Sequence, residues 1–531
     1  MKLIPIPKSY SEQDGQFTLP ETPKVTSAFD LPLITDYTEA VTDGADVEIT
    51  KDATLPEEGY RLQVTAQGIR IAASAKAGAY YALQSVRRLC SFDTGGREVP
   101  CCEIEDAPRY RWRGLQLDES RHFFGAAQVK RLLDMMFAEK LNIFHWHLTD
   151  DQGWRVQIDA YPLLTEIGSK RAYTQTGGWD SFQCEDKPHG GYYTKEDIRD
   201  IVAYAAERGI TVVPEIDFPA HCASAMAAYP ELACFPKETE VPGYFGGLIP
   251  QWKHGDFRWN RTLCCGKGST FDFVFAVLDE ICALFPSPYF HIGGDEAPLT
   301  EWKKCPQCQR VMRENGLQNE TELQGWFEKR LIDYLKSKGK TAVGWNEITH
   351  AKGLNTAENV AVQYWTRKRD ARAEQHINSG GKTVLSNHQA FYFDMPYAMY
   401  PLGNTYSYNP CEFGIADPDA VGILGVEGEL WSEWIPDRAR LEMLAVPRMQ
   451  ALAEVGWSPA EKRDFAGFLK RLETVKPTLR ANGVNYAESG VALAEDAARS
   501  RTIVKKFRKG NPYLETEINK QLKGDNEDEI Q

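Results

Sequence analysis

Two adjacent carboxylates, Asp295 and Glu296, end the stretch His291-Ile-Gly-Gly-Asp-Glu296. They follow a short apolar run, residues 289–292, that reads as a buried strand. Neighbouring side chains on a regular strand point to opposite faces. The two acids therefore serve one site only if the chain leaves the sheet there. Gly293 and Gly294 permit that turn, because glycine reaches backbone angles that other residues avoid. Paired acids at a strand end stand where a parallel α/β barrel places its chemistry. On its own, an Asp-Glu pair is more often a solvated surface feature.

Other segments share this polar and aromatic character. Arg113 precedes one apolar run and Asp118-Glu-Ser-Arg-His122 follows it. His145-Trp-His-Leu-Thr-Asp-Asp151, Pro214-Glu-Ile-Asp-Phe-Pro-Ala-His221 and Trp345-Asn-Glu347 end others, as do Gln363-Tyr-Trp365, Phe391-Tyr-Phe-Asp394 and Glu429-Leu-Trp-Ser-Glu433. Two chemistries could use such a set. Sugar hydrolysis needs a carboxylic acid, with aromatic faces and charged groups to hold the ring. Trp345, Trp365 and Trp431 suit it. Metal-assisted hydrolysis could use His145, His147, His221 and His291 with the acids. His145 and His147 alternate along a strand and both can face inward. Yet acids follow His147 in place of a third ligand set, and His291 fits a packed, hydrogen-bonded residue.

The elements that must hold these residues alternate along the chain. Apolar runs at 114–118, 142–148, 211–217, 289–293, 341–345, 360–365, 383–386 and 422–427 read as eight strands. Amphipathic stripes fall between them, for example Val129, Leu132, Leu133, Met136 and Phe137. Eight strands alternating with helices predict a (β/α)8 TIM barrel over residues 109–460. No glycine-rich phosphate loop follows the first strand, which disfavours a dinucleotide-binding sheet. Residues 1–108 read as a small α+β domain, with a hairpin around Gln67-Gly68 and a helix from Ala77 to Leu89. Residues 461–531 read as a charged helical C-terminal extension.

The formal charge of −14 argues against nucleic-acid binding, which needs concentrated Lys and Arg. No stretch is long and apolar enough to predict a membrane span. The segment after Met1 lacks the apolar core of a secretion signal, so a cytoplasmic location is expected unless a signal has been removed. The 12 cysteines do not pattern as a disulfide framework. Cys305-Pro-Gln-Cys308 has zinc-knuckle spacing, but no second Cys or His pair follows it. A helix-start turn is the expectation there, with no metal and no cofactor.

Six ordered segments resemble glycoside hydrolase family 20, the exo-acting β-N-acetylhexosaminidases. They are Trp112-Arg-Gly-Leu-Gln-Leu-Asp-Glu-Ser-Arg-His-Phe123, Asn142-Ile-Phe-His-Trp-His-Leu-Thr-Asp-Asp-Gln152, Pro214-Glu-Ile-Asp-Phe-Pro-Ala-His221, His291-Ile-Gly-Gly-Asp-Glu296, Gly344-Trp-Asn-Glu347 and Gly428-Glu-Leu-Trp-Ser-Glu433. The resemblance implies retaining hydrolysis in which the substrate's 2-acetamido oxygen is the nucleophile, an exception to the two-carboxylate scheme. Glu296 resembles the general acid and base, and Asp295 the residue that holds the acetamido N–H. Tyr392 resembles the partner of the acetamido oxygen, and Trp345, Trp365 and Trp431 the walls around it. The resemblance assigns Arg113, Asp394 and Glu433 to the sugar hydroxyls, and Asp150 with His221 to a relay behind Glu296. A plain structural hydrogen bond is the other reading of that last pair. Asp118, Glu119, Arg121 and His122 are read as structural support. The implied partner is a glycan with a terminal N-acetylhexosamine. A lacto-N-biosidase of the same family and a metal-dependent amidohydrolase are the rival readings.

Overall fold

The computed structural model describes residues 2–181, 183–245, 262–350 and 360–527. Its eight parallel strands close into a barrel. In chain order they are Trp112–Asp118, Ile143–His147, Thr211–Glu215, Tyr289–His291, Thr341–Trp345, Val360–Tyr364, Lys382–Leu385 and Ile423–Gly428. All eight coincide with the runs read from the sequence, to within a few residues at their ends. Helices Ala126–Ala138, Lys195–Glu207, Gly268–Leu284 and Glu320–Ser337 return the chain along the outside. The apolar stripe of the first is buried through Val129, Leu132, Leu133 and Met136. Helix Lys195–Glu207 starts at a capping box, in which Thr194 and Asp197 satisfy each other's backbone N–H groups. The fourth strand is only three residues long, because the chain turns away at Gly293.

The N-terminal part is a seven-stranded sheet with helix Lys76–Leu89 packed on it. Strands Tyr60–Thr65 and Gly68–Ala73 form the expected hairpin, with Thr65 opposite Gly68. Its turn is therefore Ala66-Gln67, one residue earlier than the sequence suggests. After the barrel come helices Phe465–Ala481, Ala497–Lys509 and Leu514–Glu527. Among the described residues no helix is long and apolar enough to cross a membrane.

The junction between sheet and barrel corrects one expectation. Arg113 does not reach the catalytic end. It stands at the start of the first barrel strand, and barrel chemistry gathers where strands end. Its guanidinium makes two hydrogen bonds to Glu58 of the N-terminal sheet domain, at 2.6 and 3.2 Å. It also donates to the carbonyls of Tyr110 and Lys140 and lies 5.0 Å from the Trp457 ring centroid. Beside it, Lys140 donates to Tyr60, Ser85 and Asp106, and Trp457 donates to Asp106. Burial pulls Lys140 down to about 8, against the pull of Asp106.

Arg113 is wholly buried, and Glu58 is 19% exposed. Removing one partner leaves the other charge uncompensated, a cost of about 3–5 kcal/mol. Arg113→Ala is therefore expected to lower the melting temperature sharply while leaving KM unchanged well below that temperature. A raised KM with unaltered thermal stability would return Arg113 to the substrate pocket.

Candidate active site

The catalytic-end loops of the barrel enclose a cavity of about 640 Å³, within the size range of small-molecule sites. Asp295 and Glu296 enter it from the end of the fourth strand. Three of the four residues from Gly293 to Glu296 are left-handed, with φ of 70° at Gly293, 99° at Gly294 and 47° at Glu296. A side chain at Gly293 would place its Cβ 1.7 Å from Asp217 Oδ1. Glycine there lets the Gly294 N–H reach the same oxygen at 3.2 Å. A left-handed glutamate is a strained feature of the kind that gathers at functional sites. This turn brings the two adjacent acids to one cavity. Asp295 is mostly buried, at 16% side-chain exposure, and Glu296 is open at 52%.

His221 stands between them, also left-handed, at φ 51°. Its Nε2 is 3.6 Å from Asp295 and 3.9 Å from Glu296. Its Nδ1 bonds Asp150 at 3.1 Å. Asp150 in turn meets Arg121 at 2.7 Å and His147 at 3.0 Å. Burial opposes charge on both members of the Asp150–His221 pair. Arg121 and His221 outweigh it and hold Asp150 well below the usual carboxylate range. Asp150 and Asp295 outweigh it at His221 and hold the ring as a cation. Burial raises Asp295 to about 6, against the lowering effect of His221. Burial and the neighbouring Asp295 charge push Asp217 well above its ordinary value. Asp295 Oδ1, His221 Nε2 and Asp394 Oδ1 are buried with no hydrogen-bond partner among the described residues. Buried polar atoms are nearly always paired, so these three are poised for a polar ligand.

Aromatic rings form one wall. Trp365 and Tyr392 lie stacked with centroids 6.0 Å apart, and Trp431 is 6.3 Å from Tyr392. Burial keeps the Tyr392 phenol protonated. Trp345 is fully buried beneath this wall rather than lining the cavity. It packs on Trp431 at 5.7 Å and donates its N–H to Glu215. At the far side, Arg121, Asp394 and Glu433 line the cavity together. Burial raises Glu433 to about 7, against the lowering effect of Arg121. Arg121, expected as structural support, lines the cavity, and Arg113 does not. The signal was present: Arg121 lies just past the end of the first strand and Arg113 at its start.

Trp179 is a second missed member of the wall. It stacks on Trp434 at 5.1 Å, and Phe507 of the C-terminal helices packs edge-on to Trp434 at 5.4 Å. The Trp179 N–H donates to the Phe507 carbonyl, and the Asp180 N–H to that of Arg508. The C-terminal helices thus hold the Trp179 loop against the cavity. An aromatic pair contributes about 0.5–1.5 kcal/mol beyond its burial. Phe507→Leu is expected to raise KM by roughly 2–10-fold on that scale, with kcat little changed. Steady-state kinetics showing an unchanged KM would separate the C-terminal helices from the pocket.

Beneath the cavity the inward histidines share carboxylates. Glu215 accepts from His147, from His291 at 2.9 Å and from the Trp345 indole at 3.0 Å, and lies 3.1 Å from His145. Glu427 accepts from His145, Trp112 and Gln363. His145, Glu215 and His291 lie close enough to hold a metal ion. The Trp345 indole N–H occupies the Glu215 carboxylate, and an indole N–H cannot ligate a cation. The set fits a proton-sharing network that props the pocket floor.

A family model described as "Glycosyl hydrolase family 20, catalytic domain" matches residues 110–460, and one described as "Glycosyl hydrolase family 20, domain 2" matches residues 1–107. A beta-hexosaminidase of Porphyromonas gingivalis is 36% identical over 522 residues, covering 92% of this chain and 64% of that protein. The chain thus spans just under two thirds of that relative's length. A beta-hexosaminidase of Vibrio furnissii is 34% identical, covering 86% of this chain and 76% of that protein. Among solved structures, the exo beta-N-acetylglucosaminidase of Vibrio harveyi in complex with N-acetylglucosamine superposes with a TM-score of 0.80 at 33% identity, covering 92% of this chain and 78% of that one. The beta-N-acetylhexosaminidase of Bacteroides fragilis gives 0.79 at 32% identity, covering 93% and 98%.

Proposed function

The chain belongs to glycosyl hydrolase family 20, and on that premise we propose that it removes terminal non-reducing N-acetylhexosamine from glycans by retaining, substrate-assisted hydrolysis. The observation that carries this reading is the placing of two adjacent acids around one histidine. Such a pair suits a substrate whose reacting groups, the glycosidic oxygen and the acetamido group, sit on neighbouring carbons of one ring.

Glu296 gives its proton to the glycosidic oxygen as the C1–O bond breaks. The acetamido oxygen attacks C1 and closes an oxazolinium ring, whose positive charge faces the Asp295 carboxylate. Asp295 also accepts the acetamido N–H, and Tyr392 donates to the acetamido oxygen. Glu296 then takes a proton from water as the water attacks C1 and reopens the ring, which restores the β configuration and the acid. The His221 cation, balanced by Asp150, steadies the charge of both acids. Trp365 and Trp431 flank the acetamido group, with Trp345 behind Trp431. Arg121, Asp394 and Glu433 bind hydroxyls at the far side of the ring and close the pocket behind a terminal sugar, which makes cleavage exo.

The test is a panel of aryl β-glycosides of GlcNAc, GalNAc, glucose and lacto-N-biose, with products identified. Release of aryl alcohol from the N-acetylhexosaminides alone is expected. Cleavage of the lacto-N-biose glycoside alone would make the enzyme a biosidase. Release of acetate from an intact glycoside would make it an amidohydrolase.

A further inference from the structure

Along the chain, no close pair of Cys or His follows Cys305 and Cys308. The fold supplies both partners from upstream, as two single residues. Cys234 comes from the long loop after the third barrel strand, and Cys264 lies shortly before helix Gly268–Leu284. The Sγ atoms of Cys234 and Cys308, Cys264 and Cys305, and Cys264 and Cys308 are each 3.7 Å apart. All four sulfurs lie within 4.8 Å of one another, and all four residues are buried.

We propose that Cys234, Cys264, Cys305 and Cys308 bind one structural zinc ion as a closed tetrathiolate site. Zinc takes four thiolates tetrahedrally at about 2.3 Å, which puts neighbouring sulfurs about 3.8 Å apart. The three 3.7 Å separations match that edge. A disulfide brings two sulfurs to about 2.05 Å. Here the close contacts run as a chain in which Cys264 and Cys308 each have two sulfur neighbours, so no pairing into two bonds is singled out.

The surrounding backbone is shaped for the purpose. Cys305 is the N-cap of helix Pro306–Glu314, and Pro306 is its first residue. Amide groups of a helix start favour thiolate over thiol. Across the cluster, Gly266 packs so closely that a side chain there would sit 2.3 Å from the Gln307 carbonyl carbon. Cys265, next in sequence to Cys264, is not part of the quartet.

The site would fasten the loop that follows His221 to the loop that follows Glu296. A hydrogen bond already runs between them, from Trp302 Nε1 to the Leu263 carbonyl. No cysteine lines the substrate cavity, so this ion has a scaffolding role and takes no part in bond cleavage.

The experiment is elemental analysis of the full chain purified from zinc-replete medium without chelator. One zinc per chain is expected, released to a colorimetric chelator when an organomercurial blocks the thiols. Cys305→Ser/Cys308→Ser should abolish the zinc and lower the melting temperature, and Cys265→Ser should keep both. If the double variant does not fold, cobalt substitution of the wild type decides. Intense visible bands of a tetrahedral cobalt tetrathiolate, with thiolate-to-metal charge transfer in the near ultraviolet, support the site. Protein purified free of metal, stoichiometric iron, zinc retained by the double variant, or cobalt spectra without thiolate bands would each overturn it.

Discussion

Glu296→Gln is expected to lower kcat by roughly 10²–10⁴-fold, the usual worth of a positioned acid and base. The change keeps side-chain length, so the left-handed turn at Glu296 and the contacts around it are retained. It removes the proton that the departing oxygen needs. The size of the loss should therefore depend on the leaving group. A nitrophenolate leaves without much help, whereas a sugar alkoxide needs full protonation. The first step should suffer far less with activated aryl substrates than with a disaccharide. The second step still lacks its base, so activated substrates should show a burst followed by slow turnover. Added azide needs no base and should restore the rate with them. Activity on a disaccharide within a few-fold of the parent would remove Glu296 from the acid role. Circular dichroism and the melting temperature should barely move, because Glu296 is half exposed.

How far such roles can be read before a structure exists depends on range. The barrel was readable because its strands are short apolar runs between amphipathic helices, a local signal. The Asp295–Glu296 turn was readable because two glycines mark it in sequence. Arg113 and Arg121 both flank the first strand, and residue type does not separate them; chain direction does, because barrel chemistry gathers past the strand ends, where Arg121 lies. Trp179 lies in a long loop whose place depends on Phe507, more than 300 residues away in sequence. Trp345 stands at a strand end, as expected, but its indole turns down toward Glu215 rather than out into the cavity. The cysteine quartet is the clearest case. Its members come from two long loops, and the parallel pairing of the third and fourth strands brings those loops side by side.

Asp295→Asn tests the nucleophile rather than the acid. The carboxylate is asked to accept the acetamido N–H and to face the charge of the oxazolinium ring. Asparagine fills the same volume, loses the charge, and can turn an N–H₂ toward the acetamido N–H, where two donors repel. Removing a preorganised group aimed at developing charge costs about 10²–10³-fold in kcat, and this substitution also unbalances the His221 cation. A fall of at least that order is expected, concentrated in the first step, so no burst should appear with activated substrates. That absence separates it from Glu296→Gln. The pH profile carries a second signature. Asp295 must be ionised to work, and burial raises it to about 6. Wild-type kcat/KM should therefore fall as pH drops through about 6. The asparagine variant, with nothing to protonate there, should lose that limb and run flat across it at its lower level. Replacing the substrate's acetamido group with a hydroxyl should abolish turnover by the parent enzyme and add little to the defect of the variant. A parent enzyme that cleaves glucosides as fast as N-acetylglucosaminides would show that no acetamido nucleophile is used.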